Sequence, residues 1–219
     1  AQSGHVDVVR FLQRAGVDLS VADSFGLTPV HIAVLKGPIE VLKFLITSRV
    51  DLNVVNEDGL TLAHYVVGIG QVEQFKKQAI AISVGLNIAN NFGTTPAHVV
   101  AHREQVGAPS SVNTYNTYHD ITEKDQVEIL GLLHASGADL SVVDTNGGTL
   151  SHLAAAYGQL EILRFLISAG ADLSVVDKNG WTLSHVAAGN GHLVVLQFLH
   201  DSGADLSVVD KNGWTLSHV

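Results

Sequence analysis

Apolar residues fall into two alternating patterns along this chain. One is a short stretch behind a threonine that is rich in small residues, as in residues 183–190 with Ala187 and Ala188. The other is a longer run with a wide apolar stripe, as in Leu193, Val194, Val195, Leu196, Phe198 and Leu199. A stripe that wide predicts a helix packed on several sides. The pattern predicts helices near Pro29–Leu35, Ile39–Thr47, Ala63–Val67, Ala97–His102, Asp125–Ala135, Ser151–Tyr157, Leu160–Ser168, Ser184–Gly189 and Leu193–Asp201. Glycines such as Gly191 and Gly203 end them, because glycine reaches the left-handed backbone region at little cost. Segments such as residues 204–209 are too short for independent strands. They lead into turns of the form Asp177-Lys-Asn-Gly180, where the aspartate caps the turn and the glycine closes it.

The paired pattern repeats. Thr-x-x-His occurs at Thr28–His31, Thr61–His64, Thr95–His98, Thr149–His152, Thr182–His185 and Thr215–His218, each copy two residues after Gly26, Gly59, Gly93, Gly147, Gly180 or Gly213. These glycines are 33, 34, 54, 33 and 33 residues apart. A fixed period near 33 residues specifies a solenoid in which each unit buries its apolar face only against its neighbours. Residues 170–186 are identical to residues 203–219, which points to a recent duplication.

One unit, with Gly180, Thr182, His185, Ala187, Ala188, Gly191, His192, Gly203, Ala204 and Asp205, resembles the ankyrin repeat. The resemblance spans the whole chain except one insertion and implies an all-α ankyrin-repeat solenoid over residues 1–219, with truncated repeats at both ends. Proline follows the motif threonine only at Pro29 and Pro96, and leucine replaces it elsewhere. The unit at Gly59 is the weakest match. Lys76 and Lys77 stand where apolar residues belong, so local irregularity is expected there. The resemblance also gives the motif histidines a structural role, tying the threonine hydroxyl to loop backbone.

In that family partners lie across the turn tips and the exposed face of the first helices, in a concave groove. Carried over by position, the partner-binding candidates are Phe25, Leu27, Leu60, Phe92, His102, Arg103, Tyr157, Lys178, Asn179, Trp181, Asn190, Lys211, Asn212 and Trp214. The aromatics stand out, since aromatic side chains dominate interface hot spots. Trp181 and Trp214 lie on adjacent repeats and could also stack on each other. The 54-residue interval is 21 residues longer than the period, and the excess falls at residues 103–123. That insertion is rich in turn formers and reads either as a tolerated surface loop or as a binding loop using Tyr115 and Tyr118.

Composition narrows the function. Twelve basic residues against 21 acidic ones give a net charge of −9, without a basic cluster, which argues against nucleic acid and anionic membrane surfaces. Mean hydropathy is +0.26, yet no apolar run reaches the length of a membrane span. There is no cysteine for a disulfide or a thiolate zinc site. His98 and His102 are four apart, but Val99 stands where a zinc protease motif needs glutamate. No metal site, cofactor or catalytic residue is expected. The expectation is an intracellular, cytoplasmic, non-catalytic protein-binding array, monomeric, with end-to-end contacts through cut repeats. Two alternatives stand beside it: the targeting array of a larger enzyme, and a host-directed effector whose active domain lies outside this chain.

Overall fold

A computed structural model describes residues 5–37, 39–48, 50–68, 85–102 and 121–218. In chain order its helices are α1 (Val6–Arg14), α2 (Pro29–Lys36), α3 (Ile39–Thr47), α4 (Leu62–Gly68), α5 (Pro96–Ala101), α6 (Glu123–Ala135), α7 (Leu150–Ala156), α8 (Leu160–Ser168), α9 (Leu183–Gly189) and α10 (Leu193–Asp201). Among the described residues extended structure is limited to two isolated bridges, Val55 to Thr61 and Val176 to Thr182. The irregularity expected around Lys76 and Lys77, and the insertion with Arg103, Tyr115 and Tyr118, lie outside the described residues.

The helices stack in two layers. The first helices of the repeats, α2, α4, α5, α7 and α9, each pack on the next. The second helices form the other layer through α1 on α3, α6 on α8 and α8 on α10. Within a repeat the two helices also touch, as α2 on α3 and α7 on α8. Leucine and isoleucine fill the space between the layers, with Leu42, Leu45, Leu62, Ile129, Leu130, Leu133, Leu150, Ile162, Leu163 and Leu166 fully buried. No unit holds a core of its own, because every apolar face is shared with a neighbour.

Helix α2 begins at Pro29 as expected, and the first helices α4, α5, α7 and α9 begin one residue before the expected positions. The reason is the cap. Thr149 and Thr182 are extended N-cap residues whose side chains accept from the backbone N–H of His152 and His185. The residue after each threonine, Leu150 or Leu183, is therefore already helical. At α6 the same device is Thr122 with Asp125, which moves the start from Asp125 to Glu123. His102 and Tyr157, expected inside helices, are C-cap residues just beyond them. Helix α1 is an element that the expected set lacks, and residues 216–218 form a turn where a further first helix was expected.

Candidate partner-binding surface

Each turn tip is built the same way. The side-chain Oδ1 of Asp23, Asn56, Asn90, Asp144, Asp177 or Asp210 accepts two backbone N–H groups, two and four residues further on, as in Asn179 and Trp181 onto Asp177 at 2.8 Å each. The turn glycine closes the loop by donating to the backbone carbonyl of that same Asp or Asn. Successive tips then bond to each other. The N–H of Asn91, Thr145, Lys178 and Lys211 donates to the carbonyl of Asp58, Phe92, Asn146 and Asn179 in the tip before. The Lys178 and Lys211 ammonium groups reach back to the Thr145 and Lys178 carbonyls at 2.8 and 2.6 Å. The tips from Asn56 to Asp210 thus form one continuous hydrogen-bonded strip.

The motif histidines anchor that strip to the helices. In all six copies the threonine hydroxyl lies 2.8–3.0 Å from the histidine Nδ1. The threonine backbone N–H donates to the same nitrogen. With Nδ1 accepting, the proton of a neutral ring sits on Nε2. From there it points at the next repeat. His64 donates to the Thr94 carbonyl at 2.9 Å, His152 to Trp181 at 3.1 Å and His185 to Trp214 at 3.3 Å. His31 and His98 face the equivalent carbonyls of Leu60 and Gly148, but their Nε2 atoms lack hydrogen-bond alignment. Burial depresses the basicity of these rings, pushing His31 and His64 down to about 4 and lowering His98 and His152 in the same sense. His98 and His102 go to different partners, Thr95 and Tyr157.

This framework sorts the candidate residues. Leu27 and Leu60 are buried. They follow the turn glycine, where the chain enters the interface between repeats, so neither offers a side chain to a partner. Trp181 sits at the same position and is half-buried, with its indole N–H donating to Asp210 Oδ2 at 3.2 Å. Trp214 is 50% exposed. The two tryptophans do not stack on each other. Their ring partners are His185 and His218 of their own repeats. The Trp214 and Asn212 backbone N–H groups, with the Trp181 indole, hold the Asp210 carboxyl below the usual carboxylate range.

Phe25 and Phe92, immediately before the turn glycine, point outward and are about half exposed. Lys178, Asn179, Lys211, Asn212 and Asn190 are exposed. His102 and Tyr157 are brought together from successive repeats, rings 4.9 Å apart edge to face, with the Tyr157 hydroxyl 3.0 Å from His102 Nε2. One row of residues is absent from the sequence-derived set. Val55, Val143, Val176 and Val209 each precede the capping Asp or Asn of a tip, and each is about half exposed. The signal was in the recurring Ser-Val-Val-Asp of residues 141–144, 174–177 and 207–210: consecutive valines in extended chain cannot both face inward.

Short helix pairs in 33-residue units, tied together by tips and motif histidines, define an ankyrin repeat array, and the chain belongs to the ankyrin repeat family. A family model described as ankyrin repeats in three copies matches residues 119–216, and one described as ankyrin repeats in many copies matches residues 1–46 and 36–77. Ankyrin repeats are generally protein–protein interaction modules. Among solved structures the fold is similar to the crystal structure of the ankyrin repeat domain of Bcl-3, described as a unique member of the IkappaB protein family. The TM-score is 0.75 and the identity 24%, over 97% of this chain and 86% of that one. No curated protein sequence matches the chain. Among the described residues no helix is long and apolar enough to cross a membrane.

Proposed function

We propose that this chain is a non-catalytic binding module that takes a protein partner across its turn tips and the C-terminal ends of its first helices. The observation that carries the reading is the exposed apolar row of Val55, Val143, Val176 and Val209, joined at the tips by Phe25, Phe92 and Trp214. Packing leaves these side chains half in water, and apolar side chains exposed at one recurring position of a rigid scaffold mark an interaction surface. His102, Tyr157 and Asn190 extend it along the helix ends. Lys178 and Lys211 are held against tip carbonyls and so act as part of the scaffold's rim. Leu27 and Leu60 drop out of the contact set, and Trp181 contributes only its outer edge.

The test is Val143→Arg with Val176→Arg, compared with wild type by affinity capture and by thermal melt. Loss of captured proteins with an unchanged melt is the expected result. The same captured set retained by the double variant would place the partner elsewhere, with the insertion at residues 103–123 as the next surface to probe.

A further inference from the structure

Three turn tips carry an asparagine directly before the turn glycine: Asn146–Gly147, Asn179–Gly180 and Asn212–Gly213. All three asparagines are exposed. Glycine has no Cβ to shield its backbone nitrogen, so that nitrogen can close on the carboxamide carbon of the residue before it. The peptide unit is planar, so this closure swings the Asn carbonyl and the Gly N–H together about the asparagine Cα–C bond.

What resists the swing differs between the tips. In each, the Gly N–H donates to the Asp carbonyl of its own turn at 3.0 Å. At Asn146 and Asn179 the asparagine carbonyl is held as well, by the Lys178 and Lys211 N–H of the following tip at 2.9 and 3.1 Å. Among the described residues no backbone N–H donates to the Asn212 carbonyl. A Cβ on Gly147 or Gly180 would lie 3.1 or 3.0 Å from the next lysine nitrogen, whereas one on Gly213 would meet nothing within 4 Å. The carboxamides of Asn179 and Asn212 are held loosely, donating to Oδ2 of their turn Asp at 3.2 and 3.4 Å, at or beyond the long end of such bonds. A fourth pair, Asn190–Gly191, lies outside the tips, and its carboxamide is committed to the Val186 carbonyl at 2.9 Å. Local sequence cannot separate Asn179 from Asn212, because residues 170–186 are identical to residues 203–219.

We propose that the Asn–Gly tips are sites of isoaspartate formation, and that the bond from the following tip sets the rate at each. Solvent hydroxide takes the proton of the glycine N–H, and the nitrogen attacks the asparagine Cγ. The Cγ–Nδ2 bond breaks, ammonia leaves with a proton from water, and a cyclic succinimide remains. Water then opens the ring at either carbonyl, giving isoaspartate or aspartate, each with a new carboxylate. The balance is water taken up and ammonia released. Isoaspartate adds a methylene to the main chain, so the carbonyl that receives Lys178 or Lys211 leaves its register. The new charge falls in the same turn as Asp144, Asp177 or Asp210.

The test ages the 219-residue chain in mildly alkaline buffer, native and in urea, and follows each asparagine by peptide mapping with fragmentation. In urea Asn179 and Asn212 should convert alike. In the native chain Asn212 should convert about fivefold faster than Asn179, the weight of one backbone hydrogen bond, with isoaspartate as the main product. Asn190 should lag behind Asn212. Lys211→Pro removes the N–H that holds the Asn179 carbonyl, at a turn position that suits proline. It should raise the Asn179 rate about fivefold and leave Asn146 unchanged. Lys211→Ala keeps the N–H and should leave Asn179 slow. A thermal melt checks that the proline variant folds, and if it melts early the wild-type comparison carries the test. Equal native rates at Asn179 and Asn212, or an Asn179 rate unmoved by folded Lys211→Pro, would overturn the proposal.

Discussion

A buried histidine in this chain does two jobs with one ring, and removing it breaks a bond at each end. At His64 the Thr61 backbone N–H loses its acceptor, and the Thr94 carbonyl of the next repeat keeps only the Asn90 N–H. His64→Ala should therefore cost about 1–3 kcal/mol in urea unfolding. His218 is exposed, so His218→Ala serves as the near-neutral control. The same geometry predicts acid sensitivity. Protonation at Nδ1 removes the acceptor for the threonine N–H and places a charge in a buried site. A ring with a native pKa near 4 and an unfolded pKa near 6.5 binds fewer protons in the native state over that window. Stability is thus fully present above about pH 6.5 and is lost as pH falls towards about 4. The facing groups are Asp23 for His31, His98 for His64, Asp144 for His98, and Asp177 and Asp144 for His152. His64→Gln should flatten the slope between those values in a pH series of urea midpoints, and an unaltered slope would count against the ring as its source.

The turn shows how an element takes its meaning from its neighbour. Gly180 has φ +82°, and a Cβ there would sit 3.0 Å from the Lys211 backbone nitrogen. Gly213 has nearly the same φ, +79°, but a Cβ would meet nothing within 4 Å. Gly213→Ala should lose only the left-handed backbone preference, about 1–2 kcal/mol. Gly180→Ala should lose more, because the next tip must also move. Paired chemical unfolding measures the difference, and equal losses would mean that the tips are not in rigid contact. The helices expected from Ser151 and Ser184 start one residue earlier for a related reason: Thr149 and Thr182 are N-caps, which makes the leucine that follows each already helical.

Across the whole molecule, stability should be graded along the stack, because each unit is held only by those beside it. Among the residues described in α1, Val9 alone is buried, while Phe11 is 69% exposed. Helices α7 and α8 are covered on both sides and hold Leu150, Ile162, Leu163 and Leu166 at full burial. Hydrogen exchange in this chain should be fastest in α1 and slowest in α7 and α8. Uniform protection would indicate one cooperative unit instead.

Sequence alone determined the period and the helix pairs, because these rest on local spacing: a threonine three residues before a histidine, a glycine two before the threonine, and apolar stripes between; the structural role of the histidines came from the resemblance to ankyrin repeats. It also placed Phe25, Phe92, His102 and Tyr157 on or beside the accessible surface. Which apolar tip residues are buried was decided by the stack. Leu27 and Leu60 are buried, Trp181 bonds to Asp210, and Val143 and Val176 are left in water, whereas from sequence the first three read as partner-binding residues and the valines did not. The spacing within one repeat is written in its own 33 residues. The cover over each side chain is supplied by the repeat that follows, and only the assembled stack shows what that cover reaches.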